Sequence, residues 1–485
     1  MSTPNPPKKA IAGAFAWKLF ERFGVQLTQF TLQIVLARIL DPEHYGALSL
    51  MVIFTTLANV FIQNGFNTAL VQNKDVNEED YSSVFWVSFG IAVSLYGVIF
   101  LAAPLIAALY KMPHIVAPLR VLALMLIPGA LNSVQLAKVS REMDFRKVFL
   151  SNVAGIVISG AAGLASAWMG GGLWALVVQT ALNVFVACVV MHFTSGLKLR
   201  FACNIKRVKV LFSFGWKLLV SSLLETLYQE LRSLVIGIKY DSGTLGYYNR
   251  GKQFPQFLIN AVNSSVQSVM LPAMSACQDD RERVKELTRS SIILSAYILF
   301  PLMAGLAGVA APMVQLLLTE KWLPCVPYLQ IYCFALAFNP VHACNLQAIN
   351  AMGRSDIFLK LEIIKKGIGI SALVVAVFCF DSPIAIAMTG VFTTFTSCLI
   401  NAWPNKKLLG YSYVEQMKDI LPSGLLSCAM LLCVLALGQL GLGALPTLVL
   451  QVTAGAAVYM AVSAAARLEP LRMLIAMLRG IRQSQ

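Results

Sequence analysis

Residues 17–33 read "WKLFERFGVQLTQFTLQ", an apolar stretch long enough to cross a membrane that still carries Lys18, Glu21 and Arg22. On a helix at 100° per residue, Lys18, Glu21, Arg22, Gln26, Gln29 and Gln33 fall within a sector of about 140°. Phe20, Phe23, Leu27, Phe30 and Ile34 take the other side. A second stretch is built alike, with Lys217, Ser221, Glu225, Tyr228 and Arg232 on one stripe at helical spacing. Glu230 points away from that stripe and has no evident role. A charge at the bilayer centre costs at least about 2.5–3.5 kcal/mol, so such faces turn toward protein or water rather than lipid. Arginine offers a planar fork of donors suited to phosphate, and lysine a compact positive charge. Lys18, Arg22, Lys217 and Arg232 around a hydrated cleft therefore favour an anionic group such as a pyrophosphate. Glu21 and Glu225 temper the positive charge and are candidates for ion coupling.

Blander readings compete. Lys18 lies early in its span, where a snorkelling side chain reaches the surface equally well. Glu21 and Arg22 can pair structurally with Lys18 at i+3 and i+4. The first helix can also lie flat at the interface, but the recurrence of the stripe at 217–232 and an even helix count argue against that. Arg250 and Lys252, in "YYNRGKQF", either extend the positive path or sit as solvated loop charges.

The elements that must hold these stripes are membrane helices. The chain is 58% hydrophobic and 13% charged over 485 residues, where a soluble protein carries about a quarter charged residues. Spans of about 20 apolar residues recur along its whole length, each able to cross roughly 30 Å of hydrocarbon. They number fourteen, from 11–36 to 445–466, and include 116–137, 290–318, 327–350 and 357–380. No cleavable signal is visible after Lys8 and Lys9, so the first span should stay as a helix. The net charge of +15 invites a nucleic-acid partner. However, most Lys and Arg gather in clusters such as 138–147, 198–209 and 281–289, which share one side if both termini are cytoplasmic. That is the positive-inside bias, and it reports topology rather than a polyanion.

The sequence also repeats weakly. "AWKLF" at 16–20 has a counterpart in "GWKLL" at 215–219, and Asp41 and Gly46 are spaced as Asp241 and Gly246 are. At a constant later offset, Pro128, Gln135 and Asp144 match Pro340, Gln347 and Asp356. The expected fold is thus all-α and polytopic. It has about 14 transmembrane helices in two six-helix lobes, 1–197 and 198–410, related by a pseudo-two-fold along the membrane normal. A further helix pair and basic tail occupy 411–485. Repeats of this kind are common in transporters that work by alternating access.

Enzymatic signatures are missing. His44, His114, His192 and His342 are isolated, and the ten cysteines show no ligand-like spacing, so neither a metal nor a cofactor is expected. The longest loops leave no room for a catalytic domain.

The stretch 36–86 resembles the Wzx-type flippases of the multidrug/oligosaccharidyl-lipid/polysaccharide exporter superfamily, which serve O-antigen, colanic acid and related exopolysaccharides. "ARILDPEHYG", "GFNTALVQ" and the acidic loop ending in "VFW" carry the likeness, with "REMDFRK" at 141–147 in support. The resemblance implies a transporter, not an enzyme, that moves undecaprenyl-pyrophosphate-linked oligosaccharide units across the inner membrane. It puts Arg22 first as pyrophosphate ligand, with Lys18, Lys217 and Arg232 behind it. Gln26, Gln29, Gln33 and Tyr228 are candidates for the sugar. A polysaccharide polymerase and a chain-length regulator are the partners it suggests, with the lipid bilayer around the polyprenyl tail. Two rival readings stand. One is a multidrug or small-solute, cation-coupled antiporter of the same superfamily. The other is a membrane polymerase or ligase acting on lipid-linked glycans.

Overall fold

Apolar spans of this length have one way to satisfy their backbone in lipid, and the chain takes it by folding as helices. The structure, a computed structural model, describes residues 8–63, 70–71, 76–197, 199–200, 204–278 and 280–474. Within these, side chains are described except at 8–23, 205–207, 209–211, 213–214, 261–269, 271–273 and 355. No strand occurs among the described residues. The chain divides into two compact units, Met1–Gly246 and Tyr247–Gln485.

The first unit contains α1 (Lys8–Ile39), α2 (Pro42–Gln63), α3 (Glu78–Leu109), α4 (Val116–Leu124) and α5 (Leu126–Glu142). It continues with α6 (Phe145–Trp168), α7 (Leu173–Ser195), α8 (Ile205–Lys239) and the start of α9 (Ser242–Ser275). The acidic loop before α3 acts locally. Asn77 Oδ1 accepts from the Asp80 amide and Asp80 Oδ2 accepts from the Asn77 amide, each at 3.0 Å, a capping box that starts the helix. α6 packs closely on α7 and carries α1 on its other flank, where the Leu32 side chain fills the space beside Gly160.

The second unit holds the rest of α9, then α10 (Arg281–Gly308), α11 (Ala310–Leu318), α12 (Val326–Ala337) and α13 (Asn339–Ala351). α14 (Ser355–Cys379), α15 (Pro383–Leu408), α16 (Tyr413–Gly438) and α17 (Ala444–Ala465) complete it. The element order repeats. Each half runs through two helices and a long helix, followed in the second half by the short α11, then a 3₁₀ turn (Pro113–Ile115 or Glu320–Cys325). Two short helices and two long ones follow.

Three spans expected to be continuous are broken, 116–137 at Met125, 290–318 at Val309 and 327–350 at Phe338. Each break is followed within three residues by a proline, Pro128, Pro312 or Pro340. Proline fits the first turn of a new helix and clashes with a continuing one, which is why the break falls just before it. The paired landmarks Asp144 and Asp356 mark the next helix starts, where a carboxylate meets the positive end of the helix dipole. Asp144 pairs with Lys147 at 3.2 Å. The hydrogen bond from Arg354 holds the exposed Asp356 carboxyl down at about 2. Its contribution to stability is present above the ordinary carboxylate range and lost only as pH falls through that value.

α16 and α17 dock on α10. Tyr297 Oη meets Ser463 Oγ at 2.6 Å, and Tyr459 Oη donates to the Tyr297 carbonyl at 2.8 Å. At one end of the interface, Arg289 grips Asp419 through two hydrogen bonds of 2.9 and 2.8 Å, and Tyr411 Oη donates to the same carboxylate at 2.7 Å. Because Arg289 is half-exposed, the pair is screened by solvent. Asp419→Ala should cost about 1–2 kcal/mol, read as a lower midpoint in thermal unfolding of the purified protein. A double-mutant cycle with Arg289→Met should return most of that loss as coupling. Independent, additive effects would show that the grip contributes nothing.

Candidate substrate-binding face

Nine described segments are long and apolar enough to cross a membrane, and α1, α8, α9 and α14 are not among them. These helices depart from uniform greasiness because they carry the polar residues, which makes them the candidates to line a substrate path.

α8 is the best described. Ser233, Ile236 and Gly237 are buried against the unit, with α2 and α3 as main neighbours. Trp216, Val220, Leu224 and Leu227 form an exposed apolar sector. Between these two sectors runs the predicted stripe: Lys217 and Ser221 exposed, Glu225, Tyr228 and Arg232 half-buried. From Lys217 to Arg232 it extends about 22 Å along the axis, most of the thickness of the hydrocarbon. The Arg232 guanidinium lies 5.9 Å from the Tyr228 ring centroid, within cation–π range. Gln229 Nε2 donates to Glu225 Oε1 at 2.9 Å. The stripe thus presents oriented side chains rather than loose ones. Glu230 is half-buried on the flank.

On α1, Gln29 is exposed and Gln26 and Gln33 are half-buried, with the Tyr45 hydroxyl donating to the Gln33 carbonyl at 3.4 Å. Lys18, Glu21 and Arg22 belong to α1, but their side chains lie outside the described residues. α1 packs mainly on α6 and α8 on α2 and α3, so the two polar faces rest on separate supports within the first unit.

The repeat landmarks meet in space. α2 starts at Asp41-Pro42 and α9 at Asp241-Ser242, and these starts cross backbone to backbone. A Cβ on Gly46 would stand 1.7 Å from the Ser242 carbonyl oxygen, and one on Gly246 would stand 2.1 Å from that of Pro42. Residues at matching repeat positions therefore block each other reciprocally, as a local two-fold requires. Only glycine at both positions permits the approach.

Arg250 differs from the loop reading. It sits inside α9, 5% exposed, with Nη1 donating to Gln253 Oε1 at 2.7 Å and its guanidinium 5.5 Å from the Trp322 ring. Its charge is absorbed by packing within the second unit. Lys252 is half-buried on the same helix. An apolar groove of about 770 Å³ between α3, α5 and α7, lined by Phe85, Phe89, Leu131, Phe185 and Phe193, offers no charge to an anion. Among the described residues no three His, Cys, Asp or Glu side chains gather as metal ligands.

One cluster escaped the sequence reading. Lys365 on α14 pairs with Glu362, and His342 on α13 meets Asn401 on α15. The available signal was the run of charges at 360, 362, 365 and 366 inside the predicted span 357–380. The isolation of His342 in sequence concealed its neighbours.

Residues 35–327 match the family described as "Polysaccharide biosynthesis protein". The chain is 25% identical over 423 residues to the succinoglycan biosynthesis transport protein ExoT of Rhizobium meliloti (strain 1021), covering 87% of this chain and 83% of that protein. It is 24% identical over 380 residues to the lipopolysaccharide biosynthesis protein WzxC of Escherichia coli (strain K12), covering 76% and 75%. Its fold is similar to that of the lipid II flippase MurJ in an inward closed conformation, with a TM-score of 0.75 and 16% identity over 93% of this chain and 99% of that one. An inward-facing multidrug transporter of the MATE family is more distant, with a TM-score of 0.57 and 16% identity over 84% and 95%.

Proposed function

The chain belongs to the polysaccharide biosynthesis protein family, and on that premise we propose that the polar faces of α1 and α8 carry the headgroup of a lipid-linked oligosaccharide across the bilayer. The protein is a multi-pass membrane transporter, a Wzx-type flippase rather than an enzyme. The observation that carries the headgroup reading is the α8 stripe, a line of polar and cationic side chains about 22 Å long on a helix whose other exposed sector is apolar. Moving a bare pyrophosphate-sugar through hydrocarbon is prohibitive, since an isolated buried anion costs far more than any hydrogen bond returns. A wet, cationic face replaces the lost hydration without holding the anion too tightly to release it.

In this reading the cargo is an undecaprenyl-pyrophosphate-linked repeat unit. Arg22, Lys18, Lys217 and Arg232 attend to the pyrophosphate. Gln26, Gln29, Gln33 and Tyr228 meet the sugar, and the polyprenyl tail stays in lipid. Both termini face the cytoplasm of the inner membrane, which puts the basic clusters on the side the positive-inside rule demands. A polymerase receives the unit on the far side. The MATE-like fold leaves a drug antiporter as the second reading, and the cationic stripe disfavours cationic drugs.

The deciding experiment follows labelled lipid-linked oligosaccharide in cells depleted of this protein, scored by glycan accessibility to an enzyme confined to the periplasm. Loss of accessibility, with intermediates accumulating inside and rescue by the intact gene, is the expected result. Unchanged accessibility in a strain without a redundant flippase would transfer the assignment to the antiporter.

A further inference from the structure

We propose that Glu362, Lys365 and His342 form a proton-binding site inside the membrane-spanning part of the second unit, and that protons taken up there drive the cycle. The second clause rests on the transport reading above; the first does not.

Lys365 lies ten residues beyond the start of α14, about 15 Å along the helix and so roughly halfway through a 30 Å hydrocarbon layer. Its Nζ is 2.5 Å from Glu362 Oε1, and the two side chains are only 10% and 24% exposed. Stability gives no reason for such a pair, because apolar residues of similar volume usually do as well or better in a buried site. An intramembrane ion pair calls for a function.

His342 supplies a second titratable group. Lys365 is its charged neighbour. Its Nδ1 lies 3.3 Å from Asn401 Nδ2, which also donates to the His342 carbonyl at 3.4 Å. The amide is a donor, so Nδ1 is the acceptor and the neutral ring carries its proton on Nε2. A proton arriving at Nδ1 would set two donors face to face and remove one of the hydrogen bonds that join α13 to α15. A proton arriving at Glu362 would form a neutral acid, dissolve the ion pair and leave the Lys365 charge beside His342. Either event converts proton binding into a change in how α13, α14 and α15 hold one another. Other titratable groups close by include the half-buried Lys366, one turn from Glu362 on α14, Cys398 of α15, which Lys365 also faces, and Tyr413 of α16 beside Cys398.

The ligand class follows from the charges. A metal cation would meet the Lys365 ammonium, and an anion would meet the Glu362 carboxylate. A proton suits the carboxylate first, since the imidazole stands beside the Lys365 ammonium. A line of buried polar side chains leads away from the site. Asn405 lies one turn from Asn401 and donates to Asn345 Oδ1 at 2.6 Å. Asn345 and Gln416 exchange hydrogen bonds of 2.7 and 3.0 Å. Gln416 reaches the Tyr411 carbonyl, and the Tyr411 hydroxyl reaches Asp419 beside the half-exposed Arg289. The Oδ1 atoms of Asn401 and Asn405 are buried and accept no hydrogen bond among the described residues, so each is an acceptor held in reserve.

The test is infrared difference spectroscopy on the full chain in lipid nanodiscs as the medium is acidified. A protonated-carboxyl band beyond those of the exposed carboxylates should appear in the wild type, vanish in Glu362→Gln and change in His342→Gln, with both variants unfolding at the wild-type temperature. Persistence of the band in a folded Glu362→Gln overturns the site. In liposomes carrying lipid-linked oligosaccharide extracted from host membranes, an imposed proton gradient should accelerate glycan translocation in the wild type and not in Glu362→Gln. A wild type indifferent to the gradient overturns the coupling. A wild type that translocates nothing under any condition, yet shows the band, counts against the flippase reading and leaves the proton site standing.

Discussion

Gly46→Ala should be among the most damaging single-methyl changes in this protein, although alanine normally stabilises a helix interior relative to glycine by about 0.5–1 kcal/mol. The added carbon would stand 1.7 Å from the Ser242 carbonyl oxygen and 2.6 Å from its carbon. The obstacle is backbone, which cannot rotate aside as a side chain can. The helix starts of α2 and α9 must part by more than an ångström, at a cost at or above the usual ceiling of about 3 kcal/mol for overpacking. Gly246→Ala should behave alike, since its methyl would strike the Pro42 carbonyl at 2.1 Å. Once either substitution has parted the helices the second has little left to break, so the double variant should be markedly less than additive.

A disulfide reports the separation directly. A Cβ on Gly243 lies 3.6 Å from Glu43 Cγ, the atom whose place a cysteine sulfur would take, so two cysteines here stand near enough to bond. Glu43→Cys with Gly243→Cys should therefore crosslink readily, with the linked peptides identified by mass spectrometry. Adding Gly46→Ala should cut that yield sharply. An undiminished yield, with wild-type stability, would mean that the two helix starts do not meet at these glycines.

The second large effect falls on the substrate face. Arg22→Ala combined with Arg232→Ala should reduce glycan export by at least tenfold per molecule in the membrane. Each guanidinium lost from a phosphate removes charge-assisted hydrogen bonds of about 1.5–3 kcal/mol, and about 1.4 kcal/mol is a factor of ten. Arg232→Lys should recover only part of the loss, because lysine keeps the charge but loses both the fork and the planar contact with Tyr228. Tyr228→Leu should weaken export less than Arg232→Ala, since it removes one contact of the arginine and keeps its charge. Full export by a well-inserted double variant would end the pyrophosphate role of these residues while leaving the flippase assignment in place.

Much of the architecture was legible in the residues because membranes make the code simple. Hydrophobic length sets the spans, and a polar stripe on a greasy helix stands out against its background. The order of helices in the two halves was visible too, since Asp41, Gly46, Pro128 and Asp144 recur at their matching positions. Even the broken helices had a local cause in Pro128, Pro312 and Pro340, although spans were read through them because hydropathy averages over a window and does not register one missing amide.

What only the tertiary structure decided depends on neighbours far along the chain. The landmarks at Gly46 and Gly246 repeat in sequence, but only the fold brings their backbones together. Arg250 looked like a loop charge until Trp322, some seventy residues on, was found beside it. His342 is alone in sequence and has Asn401 and Lys365 for company in space. Charge pairing and burial are properties of contacts, and contacts at this range leave no period in the sequence. By itself the sequence determined an all-helical membrane transporter of a polysaccharide biosynthesis family, and it raised the cationic stripes at 18–33 and 217–232 as the candidate site. The structure decided which charges are buried in packing, Arg250 among them, because a charge in a low-dielectric interior takes its meaning from whatever stands within a few ångströms of it.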